Sequence, residues 1–287
     1  MDELKQQVSI RDQVLPKDRL TSDVLRAIDV RSIEVAVDMN DALPFVRVPE
    51  APRMSLTEAK QRFDREGVRI SALLIATDFS ADDADRHVNW AVRTVRAASD
   101  LSIPVVRIDT LTAKKSLPSH EVRDNFIRRV SEVLERTAQT GVDLGIENHG
   151  PLSNDPAFLD AVFSAVPDPR LGMTLDTGNF YWWGHPLSEL YRLLEKYAPR
   201  AKHTHIKNIN YPKELADRRR EIGFEYGKYC CPLPDGNIDL HRVVTILRRA
   251  GYRRDFCIED ESIGKLPGDK QIEVLKRDVR ALREAMT

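Results

Sequence analysis

Short apolar runs of strand length alternate along the chain with segments of helical periodicity. Several runs, such as 70–77, are apolar almost throughout, which is typical of parallel strands buried on both faces. Regular alternation of strands and helices predicts a parallel sheet covered by helices. The predicted strands are 7–15, 32–39, 70–77, 104–111, 142–149, 171–177, 201–209 and 255–261, and the predicted helices are 18–30, one beginning at Ser55, 83–99, 119–140, 155–166, 186–197, 238–250 and 270–285.

Eight strand–helix units in a chain of this length fit a closed (β/α)8 TIM barrel. Barrels of this size are routinely single domains, so we expect one domain over residues 1–287. An open, doubly wound sheet is the alternative. Its dinucleotide-binding form needs a glycine-rich GxGxxG turn after the first strand, and this sequence contains none.

The segment 210–237 departs from this alternation. It lies between the seventh predicted strand and the helix that begins at Ile238, and it contains the charged run KELADRRREIGFEYGK. A run with so much charge is typical of a solvated helix, which is our first interpretation. The alternative is a lid over a site or an oligomer contact. In either case the barrel carries an insertion after its seventh strand.

The charge balance and the cysteines limit the class of protein. The 44 basic and 45 acidic residues leave a formal net charge of -1, which provides no general attraction to nucleic acid or to an anionic membrane. No run reaches the roughly 18 apolar residues of a membrane span. The three cysteines show no CxxC spacing, and the charged start MDELKQQ is unlike a secretory signal, so we expect a cytoplasmic protein.

Four predicted strands in the second half of the chain end on side chains that bind metals: Glu147, Asp176, His205 and Glu259. The intervals from Glu147 to Asp176 and from Asp176 to His205 are both 29 residues (176 − 147 and 205 − 176). The interval to Glu259 is 54 residues (259 − 205), or one more repeat once an insertion of about 25 residues is subtracted. We therefore expect all four at the carboxyl end of the barrel, where barrel enzymes keep their chemistry.

Three carboxylates and one imidazole suit Mn2+, Mg2+ or Co2+, and Zn2+ is compatible with them. Each residue taken alone has a simpler explanation. A single acid at a strand end is usually a helix cap or a salt-bridge partner, and Asp176, followed by Thr177 and Gly178, could form a plain Asx-turn. His203 and His205 share one strand face, so one of them could be a core histidine. The recurrence of the four residues in phase is what favours a site.

The motifs IENHG, LDTGN, HTHIKN and IEDES, in this order and spacing, resemble the xylose isomerase-like barrel superfamily of sugar phosphate isomerases and epimerases. The resemblance is close in the second half and only topological in the first. It implies that Glu147, Asp176, His205 and Glu259 bind the metal, with His205 preferred over His203. Ketose 3-epimerases of this group carry a histidine where this chain has Asn179 and a glutamate where it has Ser153, which argues against a plain ketose 3-epimerase.

A metal-bound carbonyl beside two carboxylates suits proton abstraction through an enediolate. The resemblance assigns Glu147 and Glu259 as the acid/base pair. Epimerisation, isomerisation and loss of a β-hydroxyl, as in inosose dehydratases, all remain open. The predicted substrate-binding residues are His149, Asn179, Lys207 and Trp182, although each could instead be a cap, a salt-bridge partner or packing. Arg107 and Asp109, at the end of the fourth strand, are weaker candidates.

Two other functions are alternatives to a sugar isomerase or epimerase. An endonuclease IV-type DNA repair enzyme would need further histidines on the early strands, but the first half contains only His87 and His120, both in helical patterns. A catalytically silent barrel that binds a sugar is the second, and the intact set of four ligands argues against it. The expected partner is thus a small sugar, keto-sugar or polyol. Relatives by resemblance are often dimers or tetramers, so a homo-oligomer stays open.

Overall fold

Eight parallel strands close into a barrel in the computed structural model, which describes residues 6–48, 54–111 and 119–287. Each strand pairs with its neighbours in chain order, and the first strand closes the barrel by pairing with the last, with Ile10 opposite Ile258. The predicted TIM barrel is confirmed. The strands are Val8–Arg11, Ser32–Ala36, Arg69–Leu74, Val105–Ile108, Asp143–Glu147, Leu171–Asp176, Ala201–Ile206 and Phe256–Ile258.

Helices connect successive strands and cover the barrel, as the alternation predicts. Ser55 and Glu58 form a capping box at the start of the second helix, and Asp155 caps the helix after the fifth strand by accepting from the Ala157 N–H. The main helices are Thr21–Ala27, Leu56–Arg65, Ala84–Asp100, Ser119–Arg136, Pro156–Ala165, Leu187–Tyr197, Leu240–Arg249 and Gly268–Ala285. One-turn helices are Gly150–Ser153, Asn179–Trp182, Lys213–Ala216 and Tyr226–Tyr229; 3-10 turns are Asp12–Val14, Ala198–Arg200, Leu233–Asp235 and Glu261–Lys265.

The observed strands are shorter than predicted, mainly at their carboxyl ends. The predicted strand 201–209 is wrong beyond Ile206, because Asn208–Ile209 leaves the barrel and pairs antiparallel with Cys230–Cys231. The sequence pattern predicts longer strands because the first residues of the following loops are buried as well. The polar residues that follow the strands therefore lie on loops at the barrel mouth.

The insertion 210–237 does lie after the seventh strand, but the interpretation as one solvated helix is wrong. The charged run forms two single turns, Lys213–Ala216 and Tyr226–Tyr229, joined by irregular chain. Arg220 is buried between them, where its guanidinium lies over the rings of Tyr181 and Tyr211 and donates to backbone carbonyls. Stacking on aromatic rings and the hydrogen bonds of its two terminal nitrogens compensate the burial of this charge.

No helix within the described part of the chain is both long and apolar enough to cross a membrane.

Candidate metal centre and active site

The four predicted ligands meet at the carboxyl end of the barrel. Glu147 and Asp176 are the last residues of their strands, His205 is next to last, and Glu259 directly follows Ile258. All four are buried, and one ligand atom from each can be chosen so that the atoms lie within 4.8 Å of one another. The equal spacing along the chain therefore does translate into one cluster, which we call the cage.

Asp176 forms the Asx-turn expected from its sequence and also faces the cage. Its Oδ1 accepts from the backbone N–H groups of Gly178 and Asn179, both at 2.8 Å. Its Oδ2 is buried without a hydrogen bond and lies 3.1 Å from Lys207 Nζ. Burial raises the pKa of the Asp176 carboxyl, and the Lys207 charge opposes that rise. The turn thus holds one oxygen and leaves the other available to an ion.

Glu147 is held from two sides. Arg107, from the fourth strand, donates to its Oε2 through two guanidinium nitrogens, and the amide of Asn179 donates to its Oε1 at 3.1 Å. Burial would raise the pKa of the Glu147 carboxyl, but Arg107 and His205 bring it well below its usual range. Arg107 was only a weak candidate in the sequence, yet it fixes the orientation of this carboxylate.

His205 turns its two ring nitrogens toward different carboxylates. Nδ1 lies 3.3 Å from Glu147 and 3.1 Å from Glu259 without hydrogen-bond geometry, and Nε2 is 2.7 Å from Glu34. Burial opposes a charged ring, but Glu34 and Glu147 raise the pKa of His205 to about 9. His203 lies behind His205, near Glu34 and outside the cage. His205 is the histidine of the cage, and its role as a metal ligand stays a prediction; the sequence did not reveal its contact with Glu34.

Glu259 and Lys207 complete the charged centre. Arg11, from the first strand, pairs with Glu259 Oε1, while Glu259 Oε2 is 3.1 Å from Lys207 Nζ. Lys207 also forms an ion pair outside the cage, because Glu261 lies 3.5 Å from its Nζ. Burial would lower the pKa of Lys207, but Asp176 and Glu261 raise it, so its ammonium stays charged. Arg11 is a second residue absent from the sequence-based site.

The residues present fit a divalent cation. Three buried atoms of the cage have no hydrogen-bond partner: Asp176 Oδ2, His205 Nδ1 and Glu259 Oε2. Polar atoms without a hydrogen bond are costly to bury, and three of them that converge from different strands are typical of a coordination site. The set of three oxygen donors and one nitrogen donor suits the hard and borderline ions predicted from the sequence.

His149 forms a pair with Asp109 beside the cage. Its Nδ1 donates to Asp109 Oδ2 at 2.9 Å, and Asp109 is itself buried and 2.9 Å from Arg107. Burial disfavours charge on the ring, but the hydrogen bond to Asp109 and the charge of Glu147 raise the pKa of His149. With Nδ1 engaged, Nε2 remains available to a ligand. Ser153, at the position of the epimerase glutamate, instead donates to the Glu147 carbonyl and is a structural residue here.

The other predicted substrate contacts differ in their surroundings. Asn179 is buried between Glu147 and Lys207, so it braces the cage. Lys207 reaches the cage directly. Trp182 packs on the insertion, since a Cβ at Gly223 would lie 3.3 Å from its indole nitrogen. This contact agrees with the packing interpretation of Trp182, and its role toward substrate stays a prediction.

Tyr226 connects the insertion to the charged groups at the barrel mouth. The hydroxyl of Tyr226 donates to Glu261, which lies 3.5 Å from Lys207. The insertion is anchored below by Asn208, whose amide donates to the carbonyls of Leu233 and Ile238. The insertion therefore contacts Glu261, a charged neighbour of the cage, through Tyr226.

Two cavities open beside the cage, and a larger one lies elsewhere. A cavity of about 370 Å3 is lined by Arg107, Asp109 and His149, and one of about 560 Å3 by Glu259 and Glu261. The larger one, about 690 Å3, lies at the opposite end of the strands, near Val8 and Arg31. The two cavities at the cage contain the convergent polar groups that are typical of binding sites.

Curated relatives match parts of this chain. The protein MJ1311 of Methanocaldococcus jannaschii, which is uncharacterized, is 26% identical over 156 residues, covering 53% of this chain and 48% of the relative. An inosose dehydratase of Klebsiella pneumoniae is 28% identical over 131 residues, covering 43% and 42%. The chain thus matches about half or less of the length of these relatives.

Solved structures match nearly the whole fold. The IolI protein with a zinc atom has a TM-score of 0.73 at 16% identity, covering 98% of this chain and 99% of the other. An L-ribulose 3-epimerase has a TM-score of 0.68 at 16% identity, covering 98% and 95%. A barrel protein of Mycobacterium smegmatis in complex with magnesium has a TM-score of 0.69 at 18% identity, covering 99% and 98%. The TM-scores show that this chain shares its fold with these proteins.

The family model that matches this chain describes the xylose isomerase-like TIM barrel and extends over residues 23–285. This range includes the cage and seven of the eight barrel strands. The chain therefore belongs to the xylose isomerase-like TIM barrel family.

Proposed function

We propose that this protein is a divalent-metal-dependent isomerase or epimerase that removes a proton next to the carbonyl of a sugar or polyol. The observation that carries the proposal is the cage: four ligand atoms within 4.8 Å, three of them buried without a hydrogen bond. The L-ribulose 3-epimerase among the structural neighbours supports the reaction class. Neighbours with zinc and with magnesium support a metal, for which we propose Mn2+, Mg2+ or Co2+, with Zn2+ as an alternative.

Glu147 and Glu259 are the proposed acid/base pair. They come from the fifth and eighth strands and approach His205 Nδ1 from different sides, at 3.3 and 3.1 Å. Arg107 and Arg11 each hold one of the two carboxylates, so each can face the substrate in a defined orientation. A divalent ion in the cage would polarise the carbonyl and stabilise the enediolate.

The dehydration of a keto-polyol or inosose is the second candidate, favoured by two observations. Inosose dehydratases are among the relatives that match in sequence. The loss of a β-hydroxyl also needs a proton donor for the leaving oxygen, and His149, held by Asp109, lies beside Glu147 in a position to provide one. A non-catalytic sugar-binding barrel is disfavoured by the same arrangement of paired acid and base groups.

The test is proton exchange with D2O by the metal-loaded protein, across a panel of ketoses, ketoacids and inososes. Incorporation of deuterium at a carbon next to the carbonyl is expected for at least one substrate. An epimer or isomer keeps the elemental composition of the substrate apart from the incorporated deuterium, whereas a dehydratase product has lost one water, so mass spectrometry and NMR separate the two candidates.

Two variants connect the exchange to the cage. Glu147→Gln and Glu259→Gln are expected to lower exchange by at least 100-fold, because general acid–base groups contribute about 10²–10⁴-fold. Glu273→Gln, an exposed glutamate on the last helix, is the matched control. The proposal is wrong if both cage variants keep the metal content and activity of the wild-type protein.

Three further sequence-based expectations belong to this proposal: a single domain over residues 1–287, a cytoplasmic location and a homo-oligomer built from this chain. Size-exclusion chromatography with light scattering measures the last of them directly.

A further inference from the structure

Glu34 is a carboxylate in the barrel interior that the proposed acid/base chemistry does not use. It lies on the second strand and is completely buried, together with His203, His205 and Cys257. Its Oε2 is 2.7 Å from His205 Nε2, and its Oε1 is 3.5 Å from His203 Nε2. The Cys257 thiol approaches Oε2 at 3.8 Å. The structure therefore places one acid between two imidazoles, on the side of His205 opposite to the cage.

A buried carboxylate requires compensation, and here the two imidazoles provide it. A carboxylate can only accept a hydrogen bond, so the proton of the Glu34–His205 contact belongs to His205 Nε2. The lone pair of a neutral His205 must then lie on Nδ1, the atom that faces Glu147 and Glu259.

We propose that Glu34 is a positioning residue that commits His205 to bind the metal through Nδ1. The inference rests on the proposed function, because it assumes that the cage holds a divalent ion. Carboxylates that hold the second nitrogen of a ligating histidine fix its ring orientation and make it a stronger ligand. His203 faces the other oxygen of the same carboxylate, because its Nε2 lies 3.5 Å from Glu34 Oε1. Its ring stands at 83° to that of His205, and it lies outside the cage.

The first experiment measures metal affinity with Glu34→Gln, which keeps the size of the side chain and removes its charge. Mn2+ binding, measured by calorimetry on the apo-protein, is expected to weaken by about 10- to 100-fold. Asp255→Asn is the matched control, because Asp255 is also a buried, ion-paired carboxylate but lies at the start of the eighth strand and contacts Ser32 and Arg69. It should lower the melting temperature without changing the metal affinity. An affinity of Glu34→Gln within twofold of wild type would overturn the proposal.

The second experiment uses the wild-type protein, so it does not depend on the folding of a variant. The seven histidines are labelled with 15N, and the protein is loaded with Zn2+, which is diamagnetic. His205 is assigned from the spectrum of His205→Gln. We expect its Nδ1 to carry the metal-induced shift and its Nε2 to carry the proton. Coordination through Nε2 would overturn the inference.

Co2+ tests the main competing arrangement, in which Glu34, His203 and Cys257 themselves bind a second ion. The proposal expects one Co2+ per chain and no thiolate-to-cobalt absorption. Two ions per chain, with a charge-transfer band that disappears in Cys257→Ser, would overturn it, because Glu34 would then be a ligand.

Failure of this inference is distinguishable from failure of the proposed function. If Glu147→Gln and Asp176→Asn lower the metal affinity but Glu34→Gln does not, the cage is correct and only the positioning role is wrong. If none of the three changes the affinity, the cage itself is wrong.

Discussion

Two buried carboxyl groups, Asp260 and Asp278, meet where the loop carrying Glu259 contacts the last helix. Asp260 Oδ1 accepts from the Ser262 N–H, and Asp278 Oδ1 accepts from the Leu233 N–H, both at 2.8 Å. The Oδ2 atoms of both acids are buried without a donor from the protein. One proton shared between these two oxygens would satisfy both of them. We therefore predict that Asp278→Asn stabilises the protein at neutral and alkaline pH.

The sign and the size of this stabilisation follow from the linkage between protonation and folding. Burial and the neighbouring Asp260 raise the pKa of Asp278 from 3.8 to about 9. An acid whose pKa is higher in the folded state than in the unfolded state does not destabilise the protein at a pH below its unfolded pKa. The destabilisation grows as the pH rises from the unfolded pKa toward the folded pKa. Each pH unit within that window corresponds to about 1.4 kcal/mol, so the advantage of the variant should grow by at most about 4 kcal/mol between pH 5 and pH 8. The amide of the variant can still donate to Asp260 and accept from Leu233.

The assay is urea unfolding of both proteins at several pH values between 4.5 and 8.5. Asp269→Asn is the matched control, because Asp269 lies on the same helix and is largely exposed. The control should stay within about 0.5 kcal/mol of wild type at every pH. A variant at Asp278 that is less stable than wild type at pH 8, or whose gain is the same at pH 5 and pH 8, would refute the shared proton.

Three further predictions concern the cage and its neighbours. His205→Gln should weaken Mn2+ binding by at least 100-fold in calorimetry, whereas His203→Gln should change it by less than threefold; equal effects would contradict the choice of ligand. Arg107→Met should lower the free energy of unfolding by about 3–5 kcal/mol in urea, because it leaves Glu147 buried without its partner. Tyr226→Phe should raise KM severalfold at unchanged metal affinity, measured with the substrate found by D2O exchange, and an unchanged KM would contradict a role of the insertion in substrate binding.

The clustering of the four proposed ligands could be predicted because a repeated fold converts sequence spacing into position. Each βα unit returns the chain to the same end of the barrel, so 29 residues from Glu147 to Asp176 and again to His205 place equivalent strand ends side by side. The Asx-turn at Asp176, considered as a competing explanation, is present together with the site. A local turn and a ligand role are compatible because a carboxylate has two oxygens.

Glu34 and Arg11 could not be predicted in this way. Glu34 lies within an alternating strand pattern, SIEVAVDM, in which a polar residue ordinarily marks a solvent-exposed face. Only the closed barrel shows that its partners are imidazoles from a strand 171 positions later in the chain. Arg220 illustrates the same limit within the insertion, since charge predicted exposure and the rings of Tyr181 and Tyr211 instead bury it. Periodicity describes the pattern within one element, whereas the partners of Glu34 and Arg220 come from other elements of the fold. It therefore cannot predict these contacts.

The acids of the cage are already compensated by cations of the chain itself. Uncompensated carboxylates in this space would cost several kcal/mol each, so the barrel could not fold before an ion bound. The compensation is of two kinds. The two arginines hold oxygens of the glutamates from the side, whereas Lys207 lies within 3.1 Å of two of the three atoms that have no hydrogen bond. An ion bound in the cage would therefore take the place of the Lys207 ammonium at those two atoms, while the two arginines would keep Glu147 and Glu259 oriented. The pairs are Arg107 with Glu147, Arg11 with Glu259, and Lys207 with Asp176 and Glu259.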